Sequence, residues 1–318
     1  MVDTTSTRLG RAGRGVGVAG PGPAAPRKRR RLNQRVLTLL AFALPSLVLL
    51  LLINLYPVIY AAFQSLHNGD LIGVGDFVGL SNYLNVLKDP TFWDSARFTV
   101  VFTIVGVFGS WLVGLALALL LRTRIPGNAV FKTLLLLPWV VPVVVSATSW
   151  NFLVATPQSP IPVLASALGF PNLLFLASPV LAQVTVCIFK VWISFPFMMM
   201  MMSSALASVD VNVYEASKMD GATRWQAFTG ITMPLIARST YISWILMTIF
   251  CVNDFPTIFL LTGGGPVNAT ASLVVLAYQT VFLNFQTGPG VAIAFLMTLV
   301  LVIISVLLYR QIRKVDIE

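Results

Sequence analysis

Apolar residues in this chain fall in long unbroken runs, with little of the alternation of a half-buried strand or the stripe of an amphipathic surface helix. A helix needs about 20 apolar residues to cross the hydrocarbon core of a bilayer. Six runs approach or exceed that length, at about Val36–Phe63, Phe98–Leu121, Phe131–Leu153, Ser178–Met202, Leu235–Leu261 and Val291–Tyr309. The pattern predicts an all-α polytopic membrane protein with six transmembrane helices. A lipid-facing β-barrel would need short alternating segments, which these runs are not. Pro45 and Pro57 lie inside the first run, where neighbouring helices can re-satisfy the backbone groups that a proline frees.

Composition and charge agree. The chain is 57% hydrophobic and 10% charged, against about 25% charged in a soluble domain, so lipid is the solvent for most of it. Residues 1–34, rich in Gly, Arg, Pro and Thr, read as a disordered cytoplasmic tail, and residues 35–318 as the transmembrane domain. The first run is too long for the roughly 7–15-residue core of a signal peptide. Nine of the 21 basic residues lie in the first 35 positions, including Arg27-Lys28-Arg29-Arg30-Arg31. Beside a spanning helix such a cluster holds that end in the cytoplasm and attracts anionic membrane lipid. Placed there, the net charge of +10 is a topology signal, and no nucleic-acid partner is indicated.

The loops test the assignment. Residues 64–96 hold Asp70, Asp76, Asp89 and Asp94 against Lys88, and loops 154–177 and 262–290 carry no charge. Arg122, Arg124 and Lys132 mark the next loop on the other side, Lys218, Arg224 and Arg238 the loop 203–234, and Arg310, Arg313 and Lys314 the tail. Six spans with both termini inside satisfy the positive-inside rule throughout. Cys187 and Cys251 sit in apolar runs without metal-ligand spacing and read as small membrane residues; the single His67 makes no metal cluster.

The loop between the fourth and fifth runs has an internal pattern. Asp210 or Asn212 can cap a helix, Val213, Ala216, Ser217 and Asp220 follow at helical spacing, and Gly221 suits a helix end. Ala222–Phe228 can form a second short helix ending near Gly230, with Pro234 where the next membrane helix begins. Tyr214, Met219, Trp225 and Phe228 are apolar side chains available for docking.

Glu215-Ala216-Ser217, Gly221, Ile231 and Met233-Pro234 resemble the "EAA" loop of binding-protein-dependent ABC permeases: Glu-Ala-Ala, three residues, Gly, nine residues, Ile, one residue, Leu-Pro. The spacing is kept; Ser217 and Met233 depart from it by small changes in volume. Phe77-Val-Gly-Leu-Ser-Asn-Tyr83 and Leu261-Thr-Gly-Gly-Gly-Pro266 are similar to the sugar-permease branch, which includes maltose-type and glycerol-3-phosphate-type systems. The resemblance implies a type I ABC importer permease fold in a bacterial inner membrane, with a coupling loop at about 204–234. It also implies a second homologous permease, an ATPase dimer carrying ATP and Mg, and an extracytoplasmic sugar-binding protein. On it, Glu215, Ala216, Ser217, Asp220, Gly221, Ile231 and Pro234 contact the ATPase.

The chain itself offers no energy source. A P-loop needs Gly-x4-Gly-Lys-Ser/Thr to hold phosphates, and no such match occurs. One His gives no credible catalytic triad. Ionisable residues within a membrane usually mark pathways. Lys190 falls near the middle of the fourth run and Asp254 in the outer half of the fifth, beside Asn253. Two readings stay open: a contact in the translocation path, or an ion pair holding two spans together. Trp150, Asn151, Trp192, Phe195 and Asn253 are the aromatic and amide side chains at a depth suited to a sugar, and Met198–Met202 reads as adaptable packing. The chain is then a transport subunit and not an enzyme; the alternative is a self-sufficient secondary transporter using Asp254 for ion coupling.

Overall fold

A computed structural model describes residues 29–122, 126–170 and 173–315, and side chains from Val36 to Arg310 outside the two gaps. The chain divides into two units at Val58. In the first, helix α1 (Arg29–Ser65) begins inside the expected tail: residues 29–34 are helical, and 1–28 lie outside the described residues. From Val36 to Val58 every side chain is exposed in the single chain, as suits a helix apolar all round. Its polar groups turn back on the backbone, Ser46 Oγ donating to the Ala43 carbonyl (2.8 Å) and Asn54 Nδ2 to that of Leu50 (2.9 Å).

In the second unit, a two-stranded antiparallel hairpin, β1 (His67–Asn68) with β2 (Asp76–Phe77), pairs His67 with Phe77. Its turn is organised by Asp70, whose Oδ1 accepts from the backbone N–H groups of Ile72 and Gly73. Those donors, Gly73 foremost, hold the Asp70 carboxyl below its ordinary pKa. Helix α2 (Ser81–Lys88) follows. The second span starts at Pro90, earlier than the hydropathy indicates, because Asp89 caps it by accepting from Thr91 N and Pro90 opens its first turn. It runs as α3 (Pro90–Ile104), a π turn (Val105–Gly109) and α4 (Ser110–Leu120).

The third span is not straight. Helices α5 (Asn128–Val140) and α6 (Val143–Val154) meet at 91°. Pro142 lacks the N–H that would continue the ladder and forces extended backbone on Val141, at φ −66° and ψ 133°. Helix α7 (Pro160–Ala167) lies in the uncharged loop. Five helical runs are long and apolar enough to span, or six with the bent pair counted as one.

Helix α8 (Pro179–Ala207) is the centre of the unit, flanked by α4, α5 and α11 (Met233–Val252). Phe102, Val186, Phe189, Met198, Met247 and Cys251 share one core cluster; Leu115, Met202, Leu206 and Ile236 anchor another. The fifth span also departs from expectation. Its helical run extends from Arg224 to Val252 as α10 (Arg224–Ala227), a π turn (Phe228–Thr232) and α11, so no helix ends at Gly230 and Pro234 sits within the run. The run stops short of Asp254, since Pro256 cannot donate to the Val252 carbonyl. Asp254 instead caps α12 (Phe255–Thr262), its Oδ1 accepting from Thr257 N at 3.1 Å. Then come α13 (Leu273–Tyr278), a π turn (Gln279–Leu283) and α14 (Thr287–Val315), which begins before the expected Val291.

The approach of α4 to α8 depends on Gly114: a Cβ there would lie 2.6 Å from Met199 N and 2.7 Å from Met198 Cβ. Small residues at such contacts let helix backbones pack closely in lipid. Gly114→Ala is expected to destabilise the protein by about 1–3 kcal/mol, read as a lower thermal midpoint in detergent. Gly230→Ala, with open space around its Cβ, should leave that midpoint unchanged.

Candidate functional site

Two groups of sequence-predicted residues are arranged along α8, one beyond its C-terminal end and one near its middle. At its C-terminal end the segment from Ser208 folds as two short helices. Asp210 caps α9 (Val211–Met219), accepting from Asn212 N at 2.9 Å. The helix ends on Gly221, whose φ of +77° is the left-handed conformation that favours glycine. Gly221 N donates to Lys218 O (3.1 Å) and Ala222 N to Ser217 O (3.0 Å), the paired bonds of a Schellman cap. Thr223 and Gln226 then form a reciprocal capping box at the start of α10.

Glu215, Ala216, Asp220 and Pro234 are exposed, Ile231 is half-buried in the π turn, and Ser217 is buried. The Ser217 hydroxyl donates to Tyr214 O at 2.9 Å, so the residue that departs from the Ala of the motif carries no unmet polar group. The four apolar docking candidates divide. Met219 is 89% and Trp225 71% exposed. Tyr214 and Phe228 instead pack on the protein's own core beside Leu206 and Val209, because the ring of Tyr214 is also engaged from the side. Its hydroxyl lies 3.2 Å from Thr232 Oγ1, and the Arg122 guanidinium sits 4.4 Å from its ring centroid. That cation–π contact ties the second span to α9. Sequence reading took Arg122 as a topology signal and missed this role.

Midway along α8, Lys190 and Asp254 meet: Nζ donates to Oδ2 at 2.6 Å, with both side chains buried. Both Asp254 oxygens are occupied, Oδ2 by Lys190 and Oδ1 by Thr257 N. The pair borders a cavity of about 300 Å³, with Asn253, Ser194, Trp139 and Phe250 also on its wall. Trp139 stacks on Phe197 at 5.3 Å, and Phe197 meets Phe250 edge-on at 5.7 Å.

Of the sequence candidates, Lys190, Asn253 and Asp254 therefore share one cavity. The others do not reach it. Trp150 and Trp192 join Phe189 in an aromatic cluster, with centroids 5.2–6.0 Å apart. Asn151 Nδ2 donates to Leu260 O at 3.1 Å, tying α6 to α12. Phe195 is buried. Trp139 and Phe250, which do line the cavity, were not singled out in the sequence. The signal was Pro142, at which the third span bends by 91°.

The family model described as "Binding-protein-dependent transport system inner membrane component" matches residues 110–317. The trehalose/maltose transport system permease protein of Thermococcus litoralis is 35% identical over 272 residues, covering 85% of this chain and 92% of that relative. A probable ABC transporter permease of Sinorhizobium fredii is 33% identical over 301 residues, covering 93% and 96%. The trehalose transport system permease protein of Mycobacterium tuberculosis is 31% identical, covering 84% and 85%. A bacterial ABC transporter involved in the import of the acidic polysaccharide alginate shares the fold at 18% identity, with a TM-score of 0.77 over 91% of this chain and 99% of that one. With nearly two thirds of its length under one family model and its relatives matched almost end to end, the chain belongs to the binding-protein-dependent transport system inner membrane components, the multi-pass permease subunits of ABC importers.

Proposed function

We propose that this chain is one of two permeases in an importer for a saccharide or related polyol, driven through α9 and α10 by a separate ATPase dimer. The observation that carries the coupling part is the form of the segment Asp210–Thr232. It is a capped helix pair turned on Gly221, leaves Met219 and Trp225 exposed, and keeps the family spacing from Glu215 to Pro234. A rigid pair of this kind passes the closing of a partner to the membrane helices as a rigid-body shift. Glu215 is free to make a charge-assisted contact with a basic group there. The saccharide reading is supported by the names of the trehalose and trehalose/maltose relatives. The acidic or uncharged outer loops and the basic opposite ones support cytoplasmic termini. Family membership sets aside a self-sufficient secondary transporter.

The reading is tested by reconstituting the chain with the partners that co-purify with it. Uptake of trehalose or maltose should require ATP and a binding protein; uptake independent of ATP would overturn it. Glu215→Lys should abolish ATP-driven uptake or co-purification of the ATPase while the chain still inserts into the membrane. Gly221→Ala, strained by about 1–2 kcal/mol in the left-handed region but sterically unopposed, should lower uptake without abolishing it.

The Lys190–Asp254 pair is proposed to belong to the path as well as to the scaffold. Removing one partner of a buried pair costs about 3–5 kcal/mol, because the other charge is left uncompensated. Lys190→Met should therefore lose folded yield in detergent. Lys190→Met with Asp254→Asn, which keeps an acceptor for Thr257 N, should recover yield but not uptake. Full uptake in the double variant would assign the pair to structure alone.

A further inference from the structure

A second, larger cavity lies at the end of the bundle opposite α9 and α10, and nothing in the coupling or mid-membrane sites uses it. It measures about 650 Å³ and is walled by β1, α2 and the start of α3 on one side and by α13, its π turn and the start of α14 on the other. This volume falls within the roughly 300–1,000 Å³ of small-molecule sites.

Its lining is chemically unusual for a membrane protein. Asn68, Asn85, Asn268, Asn284 and Gln286 all line it. Among the described residues, the side-chain amides of these five make no hydrogen bond within the protein. Each therefore presents two donors and an acceptor to whatever fills the space. No Lys or Arg lines the cavity, and Asp89 is its one charged residue, with Oδ1 committed to Thr91 N. Phe92, a buried residue of α3 clustered with Leu276 and Ile293, supplies an apolar surface. Amides that both donate and accept, one carboxylate, one aromatic and no cation suit a neutral polyhydroxylated ligand and disfavour an anion.

The cavity is also built rather than incidental. Thr287 N donates to Gly69 O at 3.1 Å, and Asn82 Nδ2 to the carbonyls of Ser65 and His67 at 2.9 and 3.0 Å. The first bond joins its two walls, and the other two hold α2 against β1 within one of them. Between Asn284 and Gln286 the chain holds Phe285 at φ +55°, which a bulky side chain rarely adopts. Phe285 is itself 60% exposed, so burial of its ring does not account for the conformation. Its consequence is that both flanking amides line the cavity, locked by Asn284 N to Gln279 O and Gln286 N to Thr280 O, each 2.9 Å. Such strain collects at ligand sites.

The geometry points to an outer binding site for a neutral glycosyl or polyol unit, distinct from the Lys190–Asp254 cavity and occupied by the ligand before it enters the membrane. The choice of saccharide rests on the proposed function. The test uses the full chain in lipid nanodiscs without a binding protein, titrated with trehalose, maltose and glucose, with glucose 6-phosphate as the anionic control. At least one neutral saccharide should bind, and the phosphate ester should bind more weakly. Asn85→Leu and Gln286→Leu, both at exposed positions, should each weaken binding at least tenfold, with an unchanged thermal midpoint.

No binding by any neutral saccharide, or binding indifferent to Asn85→Leu and Gln286→Leu, overturns the site. So does a result in which these variants weaken only the affinity of the binding protein for the complex. ATP-driven saccharide uptake measured alongside separates the two failures. Uptake without binding to the isolated chain removes this site and leaves the saccharide reading standing; loss of both removes the two together.

Discussion

The Lys190–Asp254 ion pair fixes how the rest of the bundle can be arranged. A charge in a membrane interior is costly unless it is paired, so α8 and the break between α11 and α12 must meet at one depth and in one register. Asp254 serves both at once: one oxygen caps α12, the other receives Lys190. The second span conforms to the same point. A Cβ on Gly106 would lie 2.7 Å from Cys251 Sγ and 3.1 Å from Lys190 Cγ, so the π turn that carries Gly106 packs directly on the pair's surroundings. Three spans thus close on a single polar contact, and the aromatic-walled cavity opens beside it.

The other end of the fifth span is mechanically joined to that contact. From Arg224 to Val252 the chain is one helical run with a π turn but no loop. No flexible joint separates the exposed Trp225 from Cys251, whose side chain is packed at the ion pair. On the other side, Arg122 on Tyr214 ties α9 to the end of the second span, and the Tyr214 hydroxyl meets Thr232 in the π turn. A force on α9 and α10 therefore reaches two spans through packed contacts, and both lead to the same buried pair.

Much of this was legible in the sequence, and what was not has identifiable causes. Continuous apolar runs marked the spans, five or six with the bent pair counted as one, because bilayer thickness acts on sequence directly. Asp210 and Gly221 were placed correctly on local chemistry. The errors fall where a local break was hidden inside an apolar run. Hydropathy cannot distinguish a straight span from α5 and α6 bent at Pro142, although the proline itself was visible. Asn253-Asp254-Phe255-Pro256 is a cap followed by a proline, a readable stop signal that the high hydropathy on both sides obscured. Which aromatics line the mid-membrane cavity was beyond reach, since Trp139 and Phe250 come together only through the bend. The amides of the outer cavity are scattered from Asn68 to Gln286 and carry no spacing signal at all.

The most apolar spans are the least buried and the two least apolar spans are the most buried, and this inversion locates the polar interior without any appeal to relatives. The first span has a mean hydropathy of 2.8 with none of its core window buried, and the last 3.1 with 17% buried. The span containing α8 has only 1.8 with 61% buried. In water the most buried helix would be the most apolar; in lipid the outer faces must be apolar and the interior is released from that demand. Thr185, Lys190 and Ser194 are therefore concentrated on α8, which α4, α5 and α11 flank. The first and last spans leave apolar faces exposed, and their polar groups, Ser46 and Asn54 among them, turn back on the helix backbone. Among the described residues the two buried charges, Lys190 and Asp254, cancel in a pair, so this release from the apolar demand leaves the interior polar without a net charge.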